Sequence, residues 1–129
     1  METTINEVEV NGVKYVRKDS ITENKMAESV EGLKPVLIRS YAAGVHFGLL
    51  KKQEDTLSGR VVTLVKTRRV WYWAGAASLS QMAVEGVNKP ENCKFSMEVE
   101  SNEIVNCVEI LPLTEKAYIN LSKVAVWKK

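Results

Sequence analysis

Apolar and polar positions alternate along most of this chain, and the alternation predicts β-structure from its first residues. Residues 7–10 (Glu-Val-Glu-Val) and 13–16 (Val-Lys-Tyr-Val) flank Asn11-Gly12, the dipeptide that best tolerates the positive φ angles of a type I′ turn, so residues 7–16 read as a β-hairpin. The period then changes. Ser20-Ile21-Thr22-Glu23 has the Ser-x-x-Glu form of a capping box, which predicts either a short helix over 21–30 ending at Gly32 or a polar linker. From Pro35 the apolar runs shorten to strand length. Residues 35–41 and 45–50 read as strands joined tightly by Ala42-Ala43-Gly44. A solvated loop is expected over 52–59, and two further strands over 60–65 and 67–73.

Helical spacing enters after Ser78. Ser78-x-x-Gln81 is a second capping box, Leu79, Met82 and Ala83 form one apolar stripe, and Gly86 is a suitable C-terminal cap. Residues 93–99 and 104–111 alternate as strands about Ser101-Asn102, residues 114–121 suit a short helix, and 124–127 could add an edge strand. Short connections between strands favour antiparallel neighbours. The expected fold is therefore α+β: a mostly antiparallel β meander or small half-open barrel with two short helices. Residues 1–34 form an N-terminal hairpin plus polar linker or short helix, and 35–129 a β-rich core domain.

Composition changes this picture little. A chain of 129 residues with 45% hydrophobic and 26% charged side chains can bury a core without metal or disulfide support. No apolar run approaches the about 18 residues of a membrane helix, and the polar, acidic start is unlike a secretory signal. A cytosolic location with no membrane association is the expectation. Cys93 and Cys107 are too few and too far apart for a disulfide scaffold, and a single histidine makes a metal site or cofactor unexpected. Charge is uneven: residues 1–34 carry five basic against seven acidic side chains, whereas residues 35–74 carry seven against two. A local positive field over the second stretch favours an anionic partner.

Candidate chemistry concentrates in residues 68–81. Arg68, Arg69, Trp71 and Trp73 put guanidinium groups and indole rings within one predicted strand. Strict alternation would set Arg69, Trp71 and Trp73 on one face, a stacking platform for a flat anion. Gly75 and its alanine neighbours would let a ligand approach the backbone, and Ser78 opens a helix whose first N–H groups could receive phosphate or carboxylate. Arg39, Tyr41 and His46 form a second candidate patch around the 42–44 turn. There is no Ser-His-Asp order, carboxylate pair or metal-ligand spacing, so a catalytic role is not expected.

Two of these segments, Arg39-Ser40-Tyr41-Ala42-Ala43-Gly44-Val45-His46-Phe47-Gly48 and Arg68-Arg69-Val70-Trp71-Tyr72-Trp73-Ala74-Gly75-Ala76-Ala77-Ser78-Leu79, carry a resemblance. With Glu85-Gly86-Val87 and Cys93-Lys94-Phe95-Ser96 they resemble a family of small uncharacterised proteins from tailed bacteriophages and prophages. Members read roughly R-S-Y-x-A-G-V-H-x-G and then R-R-I-W-x-W-x-G-A-x-S-L. The likeness spans about residues 35–127, and Thr67 stands where the pattern has a small residue. It implies a phage-encoded accessory protein of the host cytoplasm and carries no activity with it.

Three functions follow as expectations. The first is a non-enzymatic protein, a homo-oligomer, that sequesters a nucleotide-like anion such as a host immune signal. Arg39, Arg68 and Arg69 would meet its phosphates, and Trp71 and Trp73 its bases. The second is a protein-interaction module: an inhibitor of a host protein, or a self-assembling subunit whose aromatic row is the contact. The third is nucleic-acid binding across the sheet, against which the small net charge of +2 counts.

Overall fold

A computed structural model describes residues 25–128 together with the backbone of two short strands, β1 (Val8–Val10) and β2 (Val13–Tyr15). β1 and β2 pair antiparallel with Val10 opposite Val13. The turn between them, and the Ser20 capping box, lie outside the described residues. Of the helix expected over 21–30, residues 25–30 are described, and they are extended. Met26 bridges Thr114, and Val30 bridges Leu33. Their backbone groups are spent on other segments: Ala27 N–H donates to Leu113 O (3.0 Å) and Glu115 N–H to Lys25 O (2.8 Å). Glu31 and Gly32 both have positive φ (55° and 81°), the signature of a tight hairpin turn and not of a helix cap.

Three long strands form the body of the sheet: β3 (Lys34–Ser40), β4 (Gly44–Thr56) and β5 (Gly59–Tyr72), paired as an antiparallel meander. The expected loop over 52–59 is instead the far end of the β4–β5 hairpin. Its side chains are exposed, so no apolar alternation marks it, and Asp55 pairs across the strands with Arg60 at 2.8 Å. The two strands expected over 60–65 and 67–73 are one. The chain passes through a local irregularity at Lys66 (φ 49°) without leaving the ladder.

Beyond β5 the chain forms α1 (Leu79–Glu85), a single 3-10 turn at Pro90–Asn92, and the two-residue β6 (Lys94–Phe95). β7 (Val99–Ile104), β8 (Cys107–Pro112) and α2 (Glu115–Ser122) follow. The β7–β8 turn falls at Val105-Asn106, where Asn106 takes φ 55°, and not at Ser101-Asn102. β8 adds to β3, while β6 and β7 both pair with β5, giving six strands in the order β6-β5-β4-β3-β8 with β7 beside β5. Strands at opposite ends of that order are thus joined by two residues, which requires the sheet to curl until its edges approach. No β7–β8 ladder closes it, so the sheet is an open, curled meander and not a barrel.

Period-2 alternation on β3 divides the core. Leu37 joins Phe47, Val70 and Phe95 on the outer face, covered by Met82 and Ala83 of α1 and by Ala117 and Leu121 of α2. Val36 and Ile38 point to the inside of the curl with Val62, Leu64, Ile104 and Cys107. Both helices are capped as their sequences require: Ser78 Oγ accepts from Gln81 N–H, and Thr114 Oγ1 from Ala117 N–H. The expected edge strand over 124–127 is a single parallel bridge, Val126 to Phe95, extended by Trp127 N–H donating to Phe95 O at 2.9 Å.

Candidate functional site

The edge of β5 changes partner midway. Val70 faces Phe95 of β6 and Thr67 faces Val99 of β7, leaving Arg68 and Arg69 opposite the connecting residues 96–98. Ser96 holds that gap: its N–H donates to Arg69 O (2.9 Å), and its Oγ accepts from Arg69 N–H (2.8 Å). A cleft of about 410 Å³ opens there, lined by His46, Thr67, Arg69, Trp71, Asn102 and Trp127 among others. That is the size range of small-molecule sites.

Its aromatic wall is built from both ends of the core. Trp71, 61% exposed, meets Trp127 edge to face, with ring centroids 5.2 Å apart at 90°. Lys94 Nζ sits 5.1 Å from the Trp127 ring centroid. Arg69 is exposed at the rim and makes no ion pair among the described residues, and Lys128 adds a second cation. Among the described residues that line it there is no carboxylate. The lining is otherwise largely apolar, with Met97 and Val99 on the β7 side.

His46 is 1% exposed and lies opposite Arg69 across the β4–β5 ladder. Its Nε2 is 3.0 Å from Ala43 O, and its Nδ1 is sealed from solvent with no hydrogen-bond partner among the described residues. Burial, with a smaller contribution from Arg69, pushes its pKa below the ordinary imidazole value against the opposing effect of the Ala43 carbonyl. Thr67 lines the same cleft. The Thr67 Oγ1 donates to Phe47 O at 2.8 Å, and Gly48 leaves room for the side chain.

Arg68 borders the cleft, but its guanidinium runs to the helix-covered face. Nε donates to Ser96 O (2.8 Å), Nη1 to Leu121 O (3.4 Å), and the group lies 5.2 Å from the Phe95 ring centroid. Burial lowers its pKa while Glu98 opposes the shift. Arg68 thus braces Ser96, which in turn fixes the Arg69 backbone.

The structure brings His46, Arg68, Arg69 and Trp71 to one place and distributes the other candidates elsewhere. Trp73 packs on the outer core, so the expected Arg69-Trp71-Trp73 row does not form. A bulge between Val70 and Tyr72 shifts the alternation by one residue, turning Trp73 to the face of Val70. Arg39 pairs with Glu109 at 3.1 Å, and Tyr41 projects from the β3–β4 turn, 86% exposed. Gly75 is a packing glycine: at φ 90° an added Cβ would lie 2.5 Å from Asn88 N. At the start of α1, Gln81 N–H is taken by Ser78 Oγ (3.1 Å), and Ala77 N–H, just before the cap, by Gln81 Oε1 (2.9 Å).

Trp127, Thr67, Ser96 and Asn102 were not anticipated. Trp127 carried the only sequence signal, an indole closing the alternation of residues 124–127, but its contact with Trp71 spans the fold. Among the described residues no His, Cys, Asp or Glu cluster could hold a metal ion, and no helix is long and apolar enough to cross a membrane.

No curated protein and no solved structure matches the chain. One family model does, over residues 33–121, a span that runs from the start of β3 through most of α2 and holds every strand of the curled sheet. The chain belongs to the family described as a domain of unknown function, DUF6948.

Proposed function

We propose that this is a non-enzymatic binding protein whose cleft at the β5 edge receives a flat anionic ligand of nucleotide type. One observation carries the reading: two exposed indoles and Arg69, which makes no ion pair among the described residues, border a largely apolar cleft of about 410 Å³ with no carboxylate among the described residues of its lining. Indole faces accept any aromatic ring, and guanidinium groups pair with phosphate oxygens in a fork. The phage resemblance supplies a setting in which the ligand is a nucleotide signal of host defence and the protein lowers its free concentration. Calorimetry with nucleoside monophosphates and cyclic nucleotides tests the reading. Trp71→Ala should weaken binding by about 1 to 3 kcal/mol, the range for a stacked base, and Arg69→Ala should weaken phosphate-bearing ligands only. Absence of heat at millimolar ligand would end this reading.

A second reading has its own support. Tyr72, Met97, Val99 and Val126 are exposed around the cleft at 43–57%, so the apolar surface extends beyond what a small ligand covers. Such a patch suits a protein contact, either a host protein or a second copy of this chain. Native mass spectrometry separates the two: a retained small molecule favours the first reading, and a dimer dissociated by Trp71→Ala favours the second.

A further inference from the structure

The angle between the two indoles limits how many rings the cleft accepts, provided that it binds nucleotide-like anions as argued above. A flat ring clamped between two aromatic faces needs those faces parallel and about 7–8 Å apart, twice the carbon packing distance of about 3.5–4.0 Å. Trp71 and Trp127 instead stand at 90° with their centroids 5.2 Å apart. They form a corner and not a slot. A ring entering the corner lies flat on one indole, meets the other from the side, and fills the space that a second ring would need. The other described lining residues add no further stacking face: Met97 and Val99 are aliphatic, and the His46 imidazole is 1% exposed.

The two indoles are not equivalent. Trp127 is anchored by its backbone N–H, which donates to Phe95 O at 2.9 Å. Lys94 Nζ lies over its ring, 5.1 Å from the centroid, so one of its faces is taken. An edge-to-face contact covers a face of only one partner, and Trp71 therefore keeps at least one face that Trp127 does not cover. Trp71 is also the more exposed ring, 61% against 40%. Arg69 lies two residues before it on β5, roughly 7 Å away along a strand. Arg69 and Lys128 are the cations of the lining besides Arg68, whose guanidinium is spent on Ser96 O and Leu121 O.

We propose that the cleft takes a ligand with one flat ring and one compact anionic group, of the nucleoside monophosphate class, and that the ring stacks on Trp71 while Trp127 serves as a fixed side wall. The spacing from Trp71 to Arg69 suits a base and a phosphate separated by a single sugar. A ligand with two bases gains nothing from its second ring, because the corner is full once the first is seated.

The test is calorimetry on the full chain with four 5′-phosphorylated deoxydinucleotides. One carries adenine at both positions, two carry adenine at one position and a tetrahydrofuran abasic unit at the other, and one is abasic at both. All four share the same phosphates, so their affinity ratios isolate the rings. A stacked base corresponds to about 5- to 150-fold in affinity. The better single-adenine compound should bind at least about fivefold tighter than the fully abasic one, and the second adenine should add less than about fivefold. A gain of about fivefold or more from the second adenine would overturn the proposal and leave the cleft reading standing. Equal affinities for the two-adenine and fully abasic compounds would remove stacking altogether, and no heat from any of the four at millimolar concentration removes both readings. Trp71→Ala should erase the difference between adenine and abasic compounds, whereas Trp127→Ala should weaken binding and keep it; the reverse pattern would overturn the assignment of the stack to Trp71. If Trp127→Ala does not fold, the four compounds on the unaltered protein still decide.

Discussion

Gly48→Ala is the sharpest structural test of how this site is held together, because two ordinary rules give it opposite signs. A glycine inside a strand costs about 0.5–1 kcal/mol relative to alanine through its extra backbone freedom, so replacement would normally stabilise. Gly48 lies in β4 without a positive φ, and its backbone imposes no penalty on a side chain. Space does. A Cβ placed there would sit 2.7 Å from Thr67 Cβ and 2.9 Å from Thr67 Cα, whereas carbon atoms pack at about 3.5–4.0 Å. One of the two contacts is backbone of the paired strand, so a side-chain rotation cannot relieve it. Overpacking of this kind costs about 1–3 kcal/mol, and the net expectation is a loss of roughly 1–2 kcal/mol after the glycine term. For a domain of this length that is a fall in Tm of about 4–8 °C, read by circular dichroism or calorimetry. Thr67→Ser should not rescue it, since serine keeps the Cβ, while Thr67→Gly should recover part of the loss. A Gly48→Ala protein as stable as the parent, or more stable, would show that β4 and β5 are not packed as closely here as described.

Two further outcomes follow from single groups. His46 has a folded pKa below its unfolded value of about 6.5, so the unfolded chain binds a proton that the folded chain resists. Its contribution is constant above about pH 6.5, and stability is lost progressively as pH falls below that point. Thermal melts between pH 7.5 and pH 5 should show this loss, reduced in His46→Gln; parallel profiles for the two proteins would contradict the buried, neutral imidazole. Asn120 clips the α1–α2 corner with both ends of its amide, accepting from Val87 N–H at 2.8 Å and donating to Val87 O at 3.0 Å. Asn120→Ala should cost about 1–3 kcal/mol in urea unfolding by leaving both groups unmet, and Asn120→Asp, which keeps only the acceptor, should cost less; equal losses in the two would show that the pair is not made.

The fold class was legible because strand alternation and helix caps are local. Ser78-x-x-Gln81 with Gly86 bounded α1 to the residue, and Thr114 opened α2 where apolar spacing began. What failed to read was non-local. Residues 52–56 are strand only because β5 pairs with them, since their exposed side chains carry no period. Residues 25–30 follow a capping box that suits a helix, yet their backbone is spent on the distant 113–115 segment. Half of the candidate site was visible as residue types (His46, Arg69, Trp71). The other half, Trp127 and Ser96, arrives from chain positions whose own sequence context is ordinary.

The bulges account for the difference between the expected stacking row and the observed cleft. A strand that kept strict alternation from Arg69 would carry both Trp71 and Trp73 on one face. The irregularity opposite β6 inserts one residue, so that Trp71 stays with Arg69 while Trp73 rotates into the outer core. That rotation leaves Trp71 alone at the edge, where a second indole has to come from elsewhere, and the Phe95–Val126 bridge delivers Trp127. The irregularity at Lys66 acts on the other side of the arginine pair, where β7 takes over as partner. Between these two interruptions only Arg68 and Arg69 lack a ladder partner at that edge. One is turned inward to brace Ser96; the other is left at the rim of the cleft. Bulges re-aim side chains and end pairing at the same point, and here both effects fall on the residues that border the cleft. A change that restores regular pairing by deleting Trp71, the one residue between Val70 and Tyr72, should leave Trp73 in the outer core and remove the first indole of the cleft with the sheet intact.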